Sequence, residues 1–66
     1  MAIYRCFLFD GRFTLLRADD FREESAAKYA AASALFWGDC DHVEVWADHQ
    51  KIVAWDRNHL PLKQAS

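Results

Sequence analysis

The sequence predicts an α+β domain of the form ββαββ, with a four-stranded antiparallel sheet in the order 2-1-3-4 and one helix packed on one face. Three observations predict it. Residues 19–37, DDFREESAAKYAAASALFW, carry the one continuous helical signal. The segments before and after it are short runs of β-formers separated by turn residues. The whole chain has 66 residues and no linker-like stretch, which leaves room for one domain with a short tail from about residue 57.

The first strand is read over residues 3–9, IYRCFLF, ending in Asp10-Gly11, a strong signal for a two-residue hairpin. Residues 12–18, RFTLLRA, return as the second strand. A two-residue turn pairs Phe9 with Arg12, Leu8 with Phe13, Cys6 with Leu15 and Tyr4 with Arg17. Tyr4, Cys6, Leu8, Phe13 and Leu15 then share a core face. Ile3, Phe7, Phe9 and Leu16 share the other with Arg5, Arg12 and Thr14.

The helix is expected over residues 20–37. Asp20 and Glu23 stand at capping-box spacing, and Asp19, Glu23 and Glu24 place negative charge at the positive end of the helix dipole. The alanines between Ala26 and Ala34 favour helix because they lose no side-chain entropy. Gly38 stops it, where a left-handed residue is wanted. On a 100° wheel Ala26, Ala27, Ala30, Ala34 and Trp37 make a smooth stripe suited to close approach to a sheet. Tyr29, Leu35 and Phe36 fall outside that stripe.

Residues 42–47, HVEVWA, and 51–55, KIVAW, read as a second hairpin across Asp48, His49 and Gln50. With His49-Gln50 as the loop, Val43, Val45, Ala47, Ile52 and Ala54 face the helix, and Glu44, Trp46, Lys51, Val53 and Trp55 face away. A right-handed crossover through the helix carries the third strand over the first. Beyond Asp56 there is no period. Leu60, Pro61 and Leu62 are expected to pack on the sheet edge or a partner. No internal repeat appears beyond the two hairpins.

Composition narrows the function classes. A net charge of −2 supplies no drive toward nucleic acid or anionic lipid. No signal peptide and no membrane-spanning run is read, so a soluble cytoplasmic location is expected. With 53% hydrophobic and 15% aromatic residues the chain holds more apolar material than so small a core encloses. Cys6 and Cys40 make no disulfide framework. Cys6 is expected in the core, and Cys40, in the polar link GDCD, is expected to be partly exposed and the more reactive thiol.

The pieces Tyr4-Arg5-Cys6-Phe7-Leu8-Phe9-Asp10-Gly11, Ala18-Asp19-Asp20 with Glu23-Glu24, and Val43-Glu44-Val45-Trp46 span most of the chain. On them it resembles the short uncharacterised proteins of alphaproteobacteria, rhizobia and their relatives. That resemblance implies a compact ββαββ domain and carries no activity. A fainter likeness is to the HicB-type antitoxin domain, whose helix also begins with acidic residues followed by alanines. This chain departs from it in lacking the extra strand pattern and a separate DNA-binding segment.

No catalytic, cofactor or metal site is read. Cys40, Asp41, His42, His49 and His59 supply ligand types but not the paired spacing of zinc sites. Cysteine and histidine together in a short chain are expected by chance, and the acid, base and anion-stabilising set of an enzyme is absent. Single-stranded nucleic-acid binding is the second reading, because Arg5, Phe7, Phe9, Trp46 and Trp55 resemble the aromatic and basic face of RNA-binding sheets. The acidic balance and the missing RNP glycines weigh against it. The expectation is a non-catalytic module that forms a homodimer through Ile3, Arg5, Phe7, Phe9, Leu16, Trp46, Val53 and Trp55, with Arg12, Glu44 and Lys51 at the rim. A protein heteropartner, including an antitoxin-like role, is the alternative within that class.

Overall fold

The computed structural model describes residues 3–58. Two hairpins flank one helix: β1 (Tyr4–Phe9), β2 (Leu15–Phe21), α1 (Glu24–Phe36), β3 (His42–Ala47) and β4 (Gln50–Asp56). The strands form one antiparallel sheet in the order β2-β1-β3-β4, as expected. The helix lies mainly over β1 and β3. Leu60, Pro61 and Leu62, expected to pack as a tail, fall outside the described residues, as does His59.

The core lies between helix and sheet. Cys6, Ala27, Ala31, Leu35, Cys40, Val43 and Val45 are buried, with Tyr4, Leu8, Phe21, Ala34, Val53 and Trp55 packed around them. Ala27 and Ala31 are fully buried, so the backbone of α1 approaches the sheet where the valines of β3 stand. The buried stripe is Ala27, Ala31 and Leu35, rotated from the expected one: Leu35 is inside, and Trp37, at 73% exposure, is outside. A helix so rich in alanine offers little contrast between its faces. The one large aliphatic side chain therefore decided which face turned inward.

The helix ends as expected. Gly38 has φ +79°, its amide donates to Leu35 O and the Asp39 amide donates to Ala34 O, the two bonds of a Schellman closure. Its start differs. Glu23 occupies the N-cap in extended conformation with no side-chain cap bond, and Asp20 is a residue of β2. The expected cap at Asp20 is thus corrected: the strand continues through both aspartates so that Phe21 pairs with Tyr4 and joins the core.

The first hairpin is also longer than two residues. The Asp10 carboxylate accepts from the Arg12 and Thr14 amides at 2.8 and 2.9 Å, and the Phe13 amide donates to Asp10 O. Residues 10–14 form the connection, with Phe13 at φ 60°. The register slides accordingly: Cys6 faces Asp19 instead of Leu15, and Leu8 faces Arg17. Phe13 and Leu15, expected in the core, are exposed. Leu16 has no partner across the irregularity between Leu8↔Arg17 and Phe9↔Leu15 and is 52% exposed.

The second hairpin turns on Asp48 and His49, with Ala47 opposite Gln50 and Asp48 at φ 56°, a conformation aspartate tolerates. A second irregularity leaves Ile52 unpaired between Trp46↔Lys51 and Val45↔Val53. One extra residue inverts every side chain beyond it. Val53 and Trp55 therefore pack on the helix side, and Ala54 stands opposite Glu44. The expected outward placement of Val53 and Trp55 is corrected by that bulge, which puts Val53 and Trp55 in the core in place of Ile52 and Ala54 and adds the large Trp55 ring.

Candidate interaction surface

The face of the sheet away from the helix is built by alternation along the two central strands. Arg5, Phe7 and Phe9 of β1 stand opposite Trp46, Glu44 and His42 of β3. With Ile3 and Asp48, the residues Arg5, Phe7, Phe9, Glu44 and Trp46 line an open groove of about 430 Å³. Five of the eight residues expected at an interface, Ile3, Arg5, Phe7, Phe9 and Trp46, thus meet in one place. Leu16 lies apart from the groove at the β2 irregularity, and Val53 and Trp55 belong to the opposite side of the sheet. Arg12 sits exposed in the first turn.

Glu44 organises the polar part of this face. The Trp46 Nε1 donates to its Oε1 at 2.9 Å, His42 Nε2 lies 3.1 Å from Oε2, and Lys51 Nζ approaches Oε2 to 3.7 Å. His42 and Trp46 are two residues either side of Glu44 on one strand, which is why all three side chains emerge together. Burial pushes the Glu44 carboxyl up. The bonds from Trp46 and His42 and the Lys51 charge outweigh that and hold it below its ordinary value. Lys51 also sits over the Trp46 ring, 5.7 Å from its centroid.

The cations on this face are engaged. Arg5 makes a two-point contact with Asp20, Nε to Oδ1 at 2.7 Å and NH2 to Oδ2 at 3.2 Å, which draws the Asp20 carboxyl below its usual value. Lys51 is shared between Glu44 and Trp46. An aromatic run continues the groove: Phe7 to Phe9 at 6.3 Å, Phe9 to Phe13 at 6.2 Å, and His42 against Phe13 at 4.8 Å between centroids. Phe13 and His42 were not read as members of this surface. The two-residue turn expected at Asp10-Gly11 places Phe13 in the core. Only the longer connection brings it beside His42.

The thiols lie elsewhere. Cys6 and Cys40 are both buried and free. Burial first, then the charges of Asp19 and Cys40, push the Cys6 thiol up to about 11. Burial, with Asp39 and Asp41, also raises Cys40, against an opposing bond from the His42 backbone. The expected exposure of Cys40 is therefore corrected. The chain after Gly38 turns inward, and the Asp41 amide donates to Phe9 O, carrying residue 40 beneath the helix end. Neither thiol has the electropositive, accessible setting of a nucleophile. Among the described residues no group of three or more His, Cys, Asp or Glu is arranged to hold a metal ion. No helix among them is long and apolar enough to cross a membrane.

Comparison with protein-family models, curated proteins and solved structures finds no match. The reading of the surface rests on its own geometry.

Proposed function

We propose that this chain is a non-catalytic, self-associating protein-interaction module of the cytoplasm, with the open sheet face of one copy covered by that of a second. The observation that carries the reading is the groove itself: Ile3, Phe7, Phe9 and Trp46 converge on the side of the sheet away from α1. Isolated apolar side chains are ordinary on a surface, but a contiguous aromatic lining favours a partner. Two such faces meeting about a two-fold axis are self-complementary in kind. A standard interface of about 800 Å² per partner is within reach of these side chains.

Sedimentation velocity at about 100 μM tests it, a concentration at which an interface of that size holds. Phe7→Asp, which sets a charge on the groove floor away from the helix-side core, should halve the mass and leave the helical circular dichroism intact. A parent chain that is monomeric at that concentration overturns the reading.

A second reading, single-stranded nucleic acid, draws support from the aromatic run of Phe7, Phe9, Phe13 and His42, on which bases can stack. Weighing against it, Arg5 and Lys51 are already held by carboxylates, so contact with phosphate requires those pairs to break. Quenching of tryptophan fluorescence by a micromolar single-stranded oligonucleotide, lost steeply with salt, would favour this second reading over the first.

A further inference from the structure

We propose a second self-association surface, the outer edge of β2, which pairs antiparallel with β2 of another copy about a two-fold axis through Ala18. The strand order leaves β2 at the margin of the sheet, and the helix lies over β1 and β3. Leu15, Leu16, Arg17 and Ala18 are exposed along it. An edge strand presents a row of backbone donors and acceptors ready for another strand.

Charge complementarity selects the occupant and the register. A two-fold axis normal to the sheet sets one residue against its own copy, so each centre can be judged by what meets itself. Centres at Arg17, Asp19 or Asp20 oppose like charges. A centre at Leu16 sets Leu15 against Arg17. Ala18 is small and uncharged, and centring there puts Arg17 directly opposite Asp19 of the second copy, twice. Arg17 and Asp19 already lie side by side on one face, Nε 2.7 Å from Oδ2, so pairing closes a ring of four alternating charges. Leu16 then stands beside Asp20 of the second copy, whose carboxylate stays in the grip of its own Arg5. Mixed charges commonly protect an edge against foreign strands. This particular pattern is complementary to itself when read backwards.

The result is a continuous eight-stranded sheet. This axis stands perpendicular to the sheet, whereas the axis relating two open faces runs between them, parallel to the sheet. Perpendicular two-folds that intersect close into a tetramer, so the two surfaces can act together in a finite assembly where the axes meet.

Charge exchange tests the proposal. Asp19→Arg and Arg17→Asp each make the centre self-repelling, so each variant alone should have half the parent mass by sedimentation. An equimolar mixture restores opposite charges across the axis and should recover the parent mass, which a mixture containing Phe7→Asp does not do. If only the face-to-face reading fails, Phe7→Asp keeps the parent mass while the charge variants become monomers. Charge variants that keep the parent mass, or a mixture that fails to restore it, overturn the edge pairing. A monomeric parent at about 100 μM overturns both surfaces.

A second variant guards against misfolding. Ala18→Cys places two thiols at the axis, where facing Cα atoms of antiparallel strands are about 4.5–5.5 Å apart, within reach of a disulfide. Mild oxidation should give a covalent dimer, while the buried Cys6 and Cys40 of the parent give none. No crosslink would overturn the pairing.

Discussion

The Arg5 guanidinium grips both oxygens of the Asp20 carboxylate across the β1–β2 ladder, at 2.7 and 3.2 Å. This contact fixes Asp20 as a strand residue, although its sequence neighbourhood reads as a helix start. Both side chains are about half exposed, so the pair is open to screening by salt. Asp20→Asn should lower the thermal midpoint slightly at low ionic strength, with the loss fading in about 1 M salt. The helical circular dichroism should not change. A selective loss of helix signal would restore Asp20 as the cap.

Phe13 is an aromatic residue in left-handed conformation, φ 60° and 65% exposed. That conformation costs an L-residue about 1–2 kcal/mol, and glycine occupies it freely. The ring recovers part of the cost against Phe9 and His42, at the low end of aromatic pair energies because it is mostly in water. Phe13→Gly should therefore stabilise the monomeric fold by about 0.5 kcal/mol in urea denaturation. A loss of about 1 kcal/mol instead would show that the stack on His42 outweighs the strain.

Ala31 is fully buried where α1 meets the sheet, whereas Tyr29, two residues earlier, is 76% exposed. Ala31→Leu must push helix and sheet apart and should cost about 1–3 kcal/mol. Tyr29→Ala should stay within about 0.5 kcal/mol of the parent in the same denaturation measurement. Equal effects would mean that the inward face of α1 is wrongly assigned.

Stability should fall at both ends of the pH scale. Glu44 and Asp20 are held below their ordinary values of 4.5 and 3.8, so the unfolded chain takes up protons first. Their contribution is present above those values and is lost as pH falls through the lower folded ones. Cys6, raised from 9.0 to about 11, acts in the opposite sense: the unfolded chain releases its proton first, and stability declines as pH rises from 9 toward 11. Urea midpoints across pH should show both limbs, and Glu44→Gln should flatten the acid one. A thiol reagent at pH 8 should find neither cysteine until the chain unfolds.

Much of this fold is legible in local sequence, because its signals act over a few residues. Alternation along Tyr4-Arg5-Cys6-Phe7-Leu8 and Val43-Glu44-Val45-Trp46 separates the two faces of the central strands, and with them the groove residues Arg5, Phe7, Glu44 and Trp46. Gly38 marks the helix end because only a left-handed residue closes it there. Strand order follows from antiparallel hairpins joined by a right-handed crossover.

Tertiary structure decided whatever depended on competition between alternatives of similar local energy. Asp10 can cap a longer turn as well as begin a short one, and the longer one lets Phe21 reach the core while Asp20 meets Arg5. An alanine helix has almost no preferred face until Leu35 finds a cavity to fill. At Ile52 a single unpaired residue moves Val53 and Trp55 from the open face to the helix side, because burying them outweighs the disrupted ladder. Register and rotation are global properties. They are set by how much apolar surface the whole chain removes from water, which no short stretch of sequence contains.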